Sequence, residues 1–266
     1  MKPSLEHLGN RSLFLSVVMP THNEEGSVES VIQEHVAILS QLPEAVTDWE
    51  IVVVDDGSDD DTPEILDRLA ARLPRLRVVK HPVNQGLFRA FDDAHRAAKG
   101  THVFATASDG QWPAANLVRM LERMLQTDAD LVVGVRPHRE EVYTPWRRFV
   151  SHCYQLLPRL LFGVQTQDAG SVKLGRRELF QCKFISHSPF VEAERIIRAL
   201  RAGCRVEFVP IEFLPRSSGK AGGAKLSYII ASLRDSLRCF WTYRLRRTNQ
   251  NPIYTRADDH DESSLP

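Results

Sequence analysis

Residues 51–58, with the sequence IVVVDDGS, limit what this chain can fold into more than any other segment. Four consecutive β-branched residues are typical of a strand covered on both faces, such as an inner strand of a parallel sheet. Asp55 and Asp56 follow at once, and an open α/β sheet binds its ligands beyond the carboxyl ends of its strands. The segment therefore predicts two carboxylates at a binding edge. The same residues also fit a simple Asp-Gly turn whose aspartates cap the next helix.

The size and composition of the chain are those of an ordinary soluble globular protein. It has 266 residues, 42% of them hydrophobic and 26% charged, and its formal net charge is zero. Zero net charge gives no reason to expect a nucleic-acid partner. The four cysteines form no CxxC pair, so we expect neither a zinc site nor a disulfide framework, and a cytoplasmic location fits best. The opening residues do not resemble a signal peptide, and no apolar run approaches the roughly 20 residues that cross a bilayer.

Strand and helix patterns alternate through the first half of the chain, which predicts right-handed βαβ crossovers and an α/β fold with a mostly parallel central sheet flanked by helices. The predicted strands are Phe14–Met19, Glu50–Val54, Arg77–Lys80, His102–Thr106 and Asp130–Val135. The predicted helices between them are Val28–Gln41, Pro63–Arg72, Leu87–Lys99 and Ala114–Gln126. For the second helix we expect Asp61 as the N-cap, Pro63 in an early position and Glu64 completing a capping box.

The pattern changes after Arg136. An amphipathic helix is predicted at Pro145–Leu161, where arginines alternate with aromatic and aliphatic residues and Pro158 is expected to introduce a kink. The further predicted elements are a strand at Ser171–Leu174, helices at Arg176–Lys183 and Pro189–Ala202, a strand at Arg205–Phe213 and a long helix at Leu226–Arg246. We expect four parts: an N-terminal extension (1–12), a main domain (13–216), a Gly/Lys-rich loop with an amphipathic helix (217–247) and a disordered acidic tail (248–266).

Polar side chains follow other predicted strands at the same edge of the sheet. Glu24 follows the first strand, Asn84 the third, and Asp109 and Gln111 the fourth. Carboxylates there can hold ribose hydroxyls or base N–H groups, or a divalent cation that bridges two phosphates. Three of these residues also have a simpler explanation, because Glu24 suits a helix start and Asn84 and Asp109 suit turns.

The ordered series of segments in this chain resembles the family-2 glycosyltransferases of GT-A fold. The segments are LSVVMPTHNEE, VVVDDGSDDDT, NQGLFRA, SDGQWP, DLVVGVR and QDAGSVKLGRREL. Within that family the chain is most similar to the dolichyl- or polyprenyl-phosphate hexose (mannose) synthases, over about residues 13–240. The resemblance implies an inverting transfer of a hexose from a GDP- or UDP-hexose donor to a polyprenyl phosphate, with Mg²⁺ or Mn²⁺ as cofactor.

The resemblance also implies roles for individual residues. The nucleotide pocket would be lined by Pro20, His22, Glu24 and Asp56, with Asp55 and Asn84 as further candidates. Asp109 matches the second aspartate of the family's DxD metal motif, and Gln111 matches a further metal ligand. Arg136 matches an arginine near the acceptor phosphate, and Asp168 and Glu192 match acidic positions on the sugar and acceptor side. The phosphate contacts expected in the Gly-rich loop are Arg216, Lys220 and Lys225.

Two departures from the family pattern leave alternatives open. Ala107 replaces the first aspartate of DxD, and three consequences are open: metal binding is weakened, water takes the ligand position, or Asp55 compensates. No transmembrane segment follows the basic loop, so the last helix could lie at a membrane surface, on the domain or on a second subunit of a homodimer. The alternatives are therefore a soluble transferase with a small-molecule acceptor and a non-catalytic nucleotide-sugar-binding protein. A hydroxyl acceptor would require a base, for which Asp168 is the first candidate and Glu192 the second.

Overall fold

The computed structural model describes residues 12–137, 145–215 and 226–245. Strands and helices alternate from the start of the first range, as the sequence predicts. The elements are β1 (Leu13–Thr21), α1 (Val28–Leu39), β2 (Val46–Asp55), α2 (Thr62–Arg72), β3 (Leu76–Lys80), α3 (Leu87–Ala97), β4 (His102–Ala105), α4 (Ala115–Thr127), β5 (Leu131–Val135), α5 (Pro145–Phe162), β6 (Lys173–Arg176), α6 (Glu178–Gln181), α7 (Val191–Arg201), β7 (Val206–Pro210) and α8 (Leu226–Leu245).

The described strands form one seven-stranded sheet in the order β3-β2-β1-β4-β6-β5-β7. Strand β1 is parallel to β2 and β4, β2 is parallel to β3, and β5 is parallel to β7. Strand β6 is the exception, because it runs antiparallel to both of its neighbours, β4 and β5. The sheet is therefore mostly parallel, and the predicted α/β fold is confirmed.

Strand β2 is covered on both faces, as its run of β-branched residues predicts. Residues 51–54 are all fully buried. Ile51 and Val53 pack into one hydrophobic cluster, and Val52 and Val54 pack into a second cluster. Side chains alternate between the two faces of a strand, so the sheet has a separate core on each side.

The start of α2 differs from the predicted capping box. The Asp61 side chain makes no capping hydrogen bond. Its neighbour Asp60 accepts a hydrogen bond from the backbone N–H of Thr62 at 3.0 Å. The backbone N–H of Asp61, which Glu64 was expected to bind, donates instead to Glu25 Oε2 at 3.1 Å. A carboxylate from the β1–α1 loop has replaced the local partner, and Pro63 stands in the first turn as predicted.

Helices α5 and α8 pack against each other beside the sheet. The ring of Phe162, at the end of α5, lies 6.1 Å from both the Phe240 and the Tyr243 rings of α8. Asp235 of α8 is buried and accepts hydrogen bonds from the backbone N–H groups of His187 and Ser188 at 3.0 and 3.1 Å. In the described ranges, we find no helix with the length and apolar character that a membrane crossing requires.

Candidate active site

The candidate site lies at the edge of the sheet where the parallel strands end. Because β1 to β5 and β7 point in one direction, their carboxyl ends meet at this edge. Strand β6 is reversed, so its amino end and the loop before it reach the same edge. The predicted residues found here are Pro20, His22, Glu24, Asp55, Asp56, Asn84, Asp109, Gln111, Arg136 and Asp168. Arg216, Lys220 and Lys225 lie outside the described residues.

Asp55 forms the tight turn that ends β2. Its Oδ1 accepts hydrogen bonds from the backbone N–H and the hydroxyl of Ser58, at 3.1 and 2.6 Å. Gly57, inside this turn, has a φ of +68°, and a Cβ there would lie 2.5 Å from the carbonyl carbon of Val83. A side chain at position 57 would thus be strained and would clash with the β3–α3 loop. The turn interpretation of Asp55 is supported by these contacts, and its predicted nucleotide contact stays a prediction.

Asp56 holds the β3–α3 loop in place. Both of its carboxylate oxygens are occupied: Oδ1 accepts the backbone N–H of Gln85, and Oδ2 accepts that of Gly86, each at 2.8 Å. His81 Nδ1 lies 2.7 Å from Oδ1, and its Nε2 lies 3.2 Å from Asp93 Oδ2. The carboxylate is 3% exposed. Asp56 therefore orders the loop that carries the exposed side chain of Asn84.

Glu24 and the Asp109 loop are joined through a single serine. Ser27 Oγ lies 2.9 Å from Glu24 Oε2 and 2.9 Å from the carbonyl oxygen of Ser108. The hydroxyl of Ser108 donates in turn to the carbonyl oxygen of Pro20 at 3.1 Å. The loops after β1 and β4 are thus fastened together, so that the backbones carrying Glu24 and Asp109 are neighbours. The sequence gives no obvious sign of this link, since Ser27 reads as a helix N-cap.

Asp109 is the carboxylate expected to hold a divalent metal. It is 6% exposed, and its Oδ1 accepts the backbone N–H of Gln111 at 3.1 Å. Within residues 12–137, 145–215 and 226–245, no three His, Cys, Asp or Glu side chains are grouped as a metal site would require. Mg²⁺ is commonly held by one or two carboxylates together with substrate phosphates. The residues present therefore fit a metal shared with a diphosphate, not a metal caged by the protein alone.

Gln111 ties the metal loop to the segment after β7. Its carbonyl oxygen accepts the backbone N–H of Leu214 at 2.9 Å, and its Nε2 donates to the carbonyl oxygen of Leu214 at 3.2 Å. Five residues further on, the side-chain amide of Asn116 donates to the carbonyl oxygen of Glu212 at 2.8 Å and accepts the backbone N–H of Glu212 at 2.9 Å. Gln111 and Asn116 thus fix the chain immediately before residue 216. The expected metal contact of Gln111 stays a prediction.

Arg136 and Asp168 form a two-point ion pair. Arg136 Nε donates to Asp168 Oδ2 and Nη2 donates to Oδ1, both at 2.7 Å, and the Arg136 backbone N–H also donates to Oδ2 at 3.1 Å. The guanidinium carbon lies 5.3 Å from the Trp112 ring centre and 5.0 Å from that of Phe213. The carboxylate fixes the plane of the guanidinium, and the aromatic rings lie against it. Sequence reasoning missed both aromatic residues, although Trp112 directly follows Gln111.

Glu192 is paired with a buried lysine that sequence reasoning also missed. Lys173 Nζ donates to Glu192 Oε2 at 2.5 Å and to the carbonyl oxygens of Ala169 and Ser171 at 2.6 and 2.9 Å. Burial alone would raise the pKa of Glu192, but Lys173 and Arg195 together lower it to about 2. Lys173 stands as a single charged residue within the predicted strand SVKL, which is the signal that could have identified it.

The surroundings of Glu192 keep a histidine neutral. His95 is buried, and burial together with the nearby Arg195 cation lowers its pKa well below the ordinary value. Arg195 is 3% exposed and lies between the rings of Phe180 and Phe184, at 4.7 and 4.6 Å from their centres. The positive charges beside Glu192 are thus enclosed by apolar groups, which strengthens their effect on its carboxylate.

Fold and site together define a class of protein. A mostly parallel sheet, acidic loops after β1, β2 and β4, and an arginine after β5 are arranged as in the GT-A glycosyltransferases. The family model for glycosyl transferase family 2 matches residues 16–184. The chain therefore belongs to glycosyl transferase family 2.

Curated relatives carry names of sugar transferases. The chain is 29% identical over 238 residues to glycosyltransferase AglD of Haloferax volcanii, covering 87% of this chain and 38% of that protein. It is 30% identical to dolichyl-phosphate β-glucosyltransferase ALG5A of Trichomonas vaginalis, covering 76% of this chain and 66% of that protein. It is 28% identical to the undecaprenyl-phosphate mannosyltransferase of Micrococcus luteus, covering 84% and 94%. The first two relatives thus extend well beyond the part that this chain matches.

Solved structures share the fold at low sequence identity. Glucosyl-3-phosphoglycerate synthase from Mycobacterium tuberculosis, in complex with Mn²⁺, UDP and glucosyl-3-phosphoglycerate, has a TM-score of 0.63 and 23% identity, covering 89% of this chain and 85% of that one. The mannosyltransferase PcManGT from Pyrobaculum calidifontis, in complex with GDP-mannose and Mn²⁺, has a TM-score of 0.57 and 20% identity, covering 92% and 67%. These similarities establish the GT-A fold.

Proposed function

We propose that this protein transfers a hexose from a GDP- or UDP-hexose to the phosphate of a polyprenyl phosphate, with inversion at the anomeric carbon. The observation that carries the proposal is that both candidate bases are already ion-paired, Asp168 with Arg136 and Glu192 with Lys173. A phosphate acceptor is ionised near neutral pH and needs no base, whereas a hydroxyl acceptor does. Two relatives bear names of dolichyl- or undecaprenyl-phosphate sugar transferases, which supports the same acceptor class.

In this mechanism Asp168 is a positioning residue for Arg136. The carboxylate orients the guanidinium, and Arg136 attracts and aligns the acceptor phosphate beside the donor sugar. Glu192 pairs with Lys173 beneath the loop that carries Asp168, where burial lowers the pKa of Lys173 and the Glu192 carboxylate opposes that shift. A carboxylate with a pKa of about 2 is too weak a base to accept a proton near pH 7. The reaction then depends on positioning and on electrostatic stabilisation.

The donor side uses the loops after β1, β2 and β3. Glu24 and the ordered β3–α3 loop supply acceptors and backbone groups for the nucleoside, alongside Pro20, His22, Asp55 and Asn84. Asp109, with Gln111 as a further candidate, would hold Mg²⁺ or Mn²⁺, which neutralises charge on the leaving diphosphate when it is bound. The solved relatives in complex with Mn²⁺ and UDP or GDP-mannose support this assignment. Arg216, Lys220 and Lys225 are proposed as further diphosphate contacts.

The test compares three acceptors under one set of conditions. Purified protein is incubated with labelled UDP-glucose or GDP-mannose, Mg²⁺ or Mn²⁺, and one of three acceptors: a polyprenyl phosphate, the corresponding polyprenol, or 3-phosphoglycerate. We expect transfer to the polyprenyl phosphate and none to the polyprenol, which differs only in lacking the phosphate. Transfer to the polyprenol would overturn the proposed mechanism, since it requires a base.

The same experiment decides the two alternative functions. Transfer to 3-phosphoglycerate in preference to the lipid would indicate a soluble acceptor. Nucleotide binding without transfer to any acceptor, unaffected by Mg²⁺ or Mn²⁺, would indicate a non-catalytic binding protein. Either outcome would reject the polyprenyl phosphate as the acceptor.

A further inference from the structure

Helix α8 carries an exposed apolar stripe along its whole length. Leu226, Ile230, Leu233, Leu237 and Trp241 follow one another at spacings of three or four residues, which places them on one face of the helix. Each of these side chains is between 44% and 65% exposed. The opposite face packs on the domain through Ser232, Asp235, Ser236 and Cys239, all buried. Because the opposite face packs on the domain, the apolar stripe faces outward.

Helix α5, which packs against α8, has an exposed face of similar composition. Four of its exposed residues recur every four positions, a fifth directly precedes the last of them, and together they combine apolar and basic side chains. They are Arg148, His152, Leu156, Arg159 and Leu160. Leu160 is 71% exposed, which makes it the most exposed of the large hydrophobic side chains in the described ranges. Exposed apolar side chains are thus present on both of the helices that pack together.

Charge is distributed very unevenly between these helices and the rest of the protein. The sequences of α5 and α8 contain six arginines and one acidic residue, Asp235, a net charge of +5 in a chain whose total is zero. Asp235 is buried, where it binds two backbone N–H groups and lies 3.9 Å from the guanidinium of one surface arginine, Arg234. Arg234, beside the stripe, has a side chain that is 78% exposed.

We infer that α5 and α8 form a membrane-docking surface, whose occupant is the headgroup region of an anionic lipid bilayer. An apolar stripe bordered by arginines, with a tryptophan at one end, is the composition of a helix that lies in the plane of a membrane surface. A second copy of the chain is a poor occupant, because a symmetric contact would bring together two surfaces that each expose Arg148, Arg159, Arg234 and Arg238. Lipid phosphates supply the opposite charge.

The two helices of this surface are close in sequence to residues of the proposed acceptor side. The inference rests on the proposed function. Arg136 precedes α5, and Leu214, which is hydrogen-bonded to Gln111, precedes α8. A polyprenyl phosphate keeps its hydrocarbon tail in the bilayer while its phosphate must reach Arg136. Docking through α5 and α8 would hold the site beside the headgroups, where that phosphate is located.

The test measures binding of the full chain to phosphatidylglycerol–phosphatidylcholine vesicles by co-sedimentation. We compare the wild type with Ile230→Ser/Leu237→Ser, which interrupts the stripe, and with a control double variant, Val83→Ser/Leu87→Ser, whose side chains are 64% and 55% exposed elsewhere. The stripe variant is expected to bind at least about tenfold more weakly, since it loses two apolar anchors. The control variant is expected to bind like the wild type.

A second pair of variants tests the charge. Arg234→Gln/Arg238→Gln removes two cations beside the stripe, and Arg89→Gln/Arg96→Gln removes two exposed cations from α3. Each arginine near an anionic surface is expected to contribute about fivefold to binding, so the first variant should lose roughly 25-fold and the second should lose little. On vesicles of phosphatidylcholine alone this difference should disappear.

Three results would overturn the inference. The first is that the wild type does not bind anionic vesicles, and the second is that the stripe variant binds them as tightly as the wild type. The third is that the wild type is a dimer that does not bind vesicles, and that the stripe variant is a monomer. A soluble short-chain prenyl phosphate separates this inference from the proposed function. The stripe variant should keep wild-type activity on that acceptor and lose activity on a vesicle-embedded one. If the wild type uses neither acceptor, the proposed function fails while the vesicle measurements still decide the docking surface.

Discussion

Arg136 and Asp168 face each other through two parallel hydrogen bonds of 2.7 Å, from Nε to Oδ2 and from Nη2 to Oδ1. Two bonds of this kind fix the plane of the guanidinium as well as its position. The pair joins the end of β5 to the loop before β6, which are 32 residues apart in the chain. A carboxylate used in this way serves as a support for the arginine, and this role can be distinguished from that of a base.

Asp168→Asn should impair acceptor binding more than the chemical step. An amide offers one acceptor oxygen in place of two, so one charged hydrogen bond is lost, at a cost of about 1.5–3 kcal/mol. We expect the acceptor KM to rise roughly ten- to a hundredfold with the donor KM unchanged, as measured by steady-state kinetics. A variant with an unchanged acceptor KM and an abolished kcat would identify Asp168 as a base instead. Asp130→Asn, which breaks the Arg176 ion pair at the start of β5, is the control and should lower stability only.

Glu192→Gln should remove a pH-dependent part of the stability. The pKa of Glu192 is lowered from 4.5 to about 2 in the folded protein, so its contribution is present above pH 4.5 and is lost as the pH falls toward 2. The shift corresponds to about 3 kcal/mol. Urea unfolding at pH 7 should show the variant less stable by about that amount, and the difference should shrink at pH 3. Glu44→Gln, at an exposed carboxylate, should show no such dependence; an equal difference at both pH values would contradict the assignment.

Gly57→Ala should weaken nucleotide binding, whereas Gly203→Ala should not. Both glycines have positive φ, +68° and +79°, so either substitution introduces backbone strain of about 1 kcal/mol. Only at Gly57 would the new Cβ meet other atoms, because Gly203 has none within 4 Å. The clash displaces the loop that Asp56 orders, and we expect the affinity for UDP or GDP to fall at least about tenfold. Isothermal titration calorimetry checks this, and equal affinities in the two variants would rule out the loop as part of the nucleotide site.

Asp109→Asn and Ala107→Asp should change metal dependence in opposite directions. Removing the proposed ligand Asp109 should lower metal-dependent transfer by about a hundredfold or more. Restoring a carboxylate at position 107 should lower the Mn²⁺ concentration for half-maximal activity by roughly tenfold, because affinity rises with ligand charge. Activity measured across a Mn²⁺ titration gives both values. Transfer by the Asp109 variant with an unaltered Mn²⁺ dependence would remove Asp109 from the metal site.

The parts of the fold that the sequence predicts well have strong local patterns. Strand β2 is recognisable from its run of β-branched residues, and helices α1 to α4 begin within one residue of their predicted starts. The direction of β6 was not predictable, because its four residues pair only with strands distant in the chain. The α2 capping box was wrong for a similar reason: Glu25, from another loop, binds the backbone N–H of Asp61.

The residues of the candidate site can also be divided into those that the sequence predicts and those that it does not. Residues that directly follow a strand, such as Asp56 and Asp109, could be placed at the binding edge from the sequence alone. Their partners could not, since Asp56 binds the backbone of a loop about 30 residues away and Glu192 pairs with Lys173, 19 residues earlier. A sequence shows that a carboxylate is present, but which cation or N–H group lies beside it depends on packing. That partner decides whether the carboxylate can accept a proton.

The reversed strand β6 also affects how the protein folds. Strands β3, β2, β1 and β4 form one block, β5 and β7 form another, and β6 is the strand that joins them. Strand β6 pairs with strands that lie far from it in the sequence, and such non-local pairing slows folding. Asp168 lies just before β6 and Lys173 is its first residue, so the strand that joins the two blocks also holds these two residues. The acceptor side of the site therefore depends on the contacts that join the two halves of the sheet.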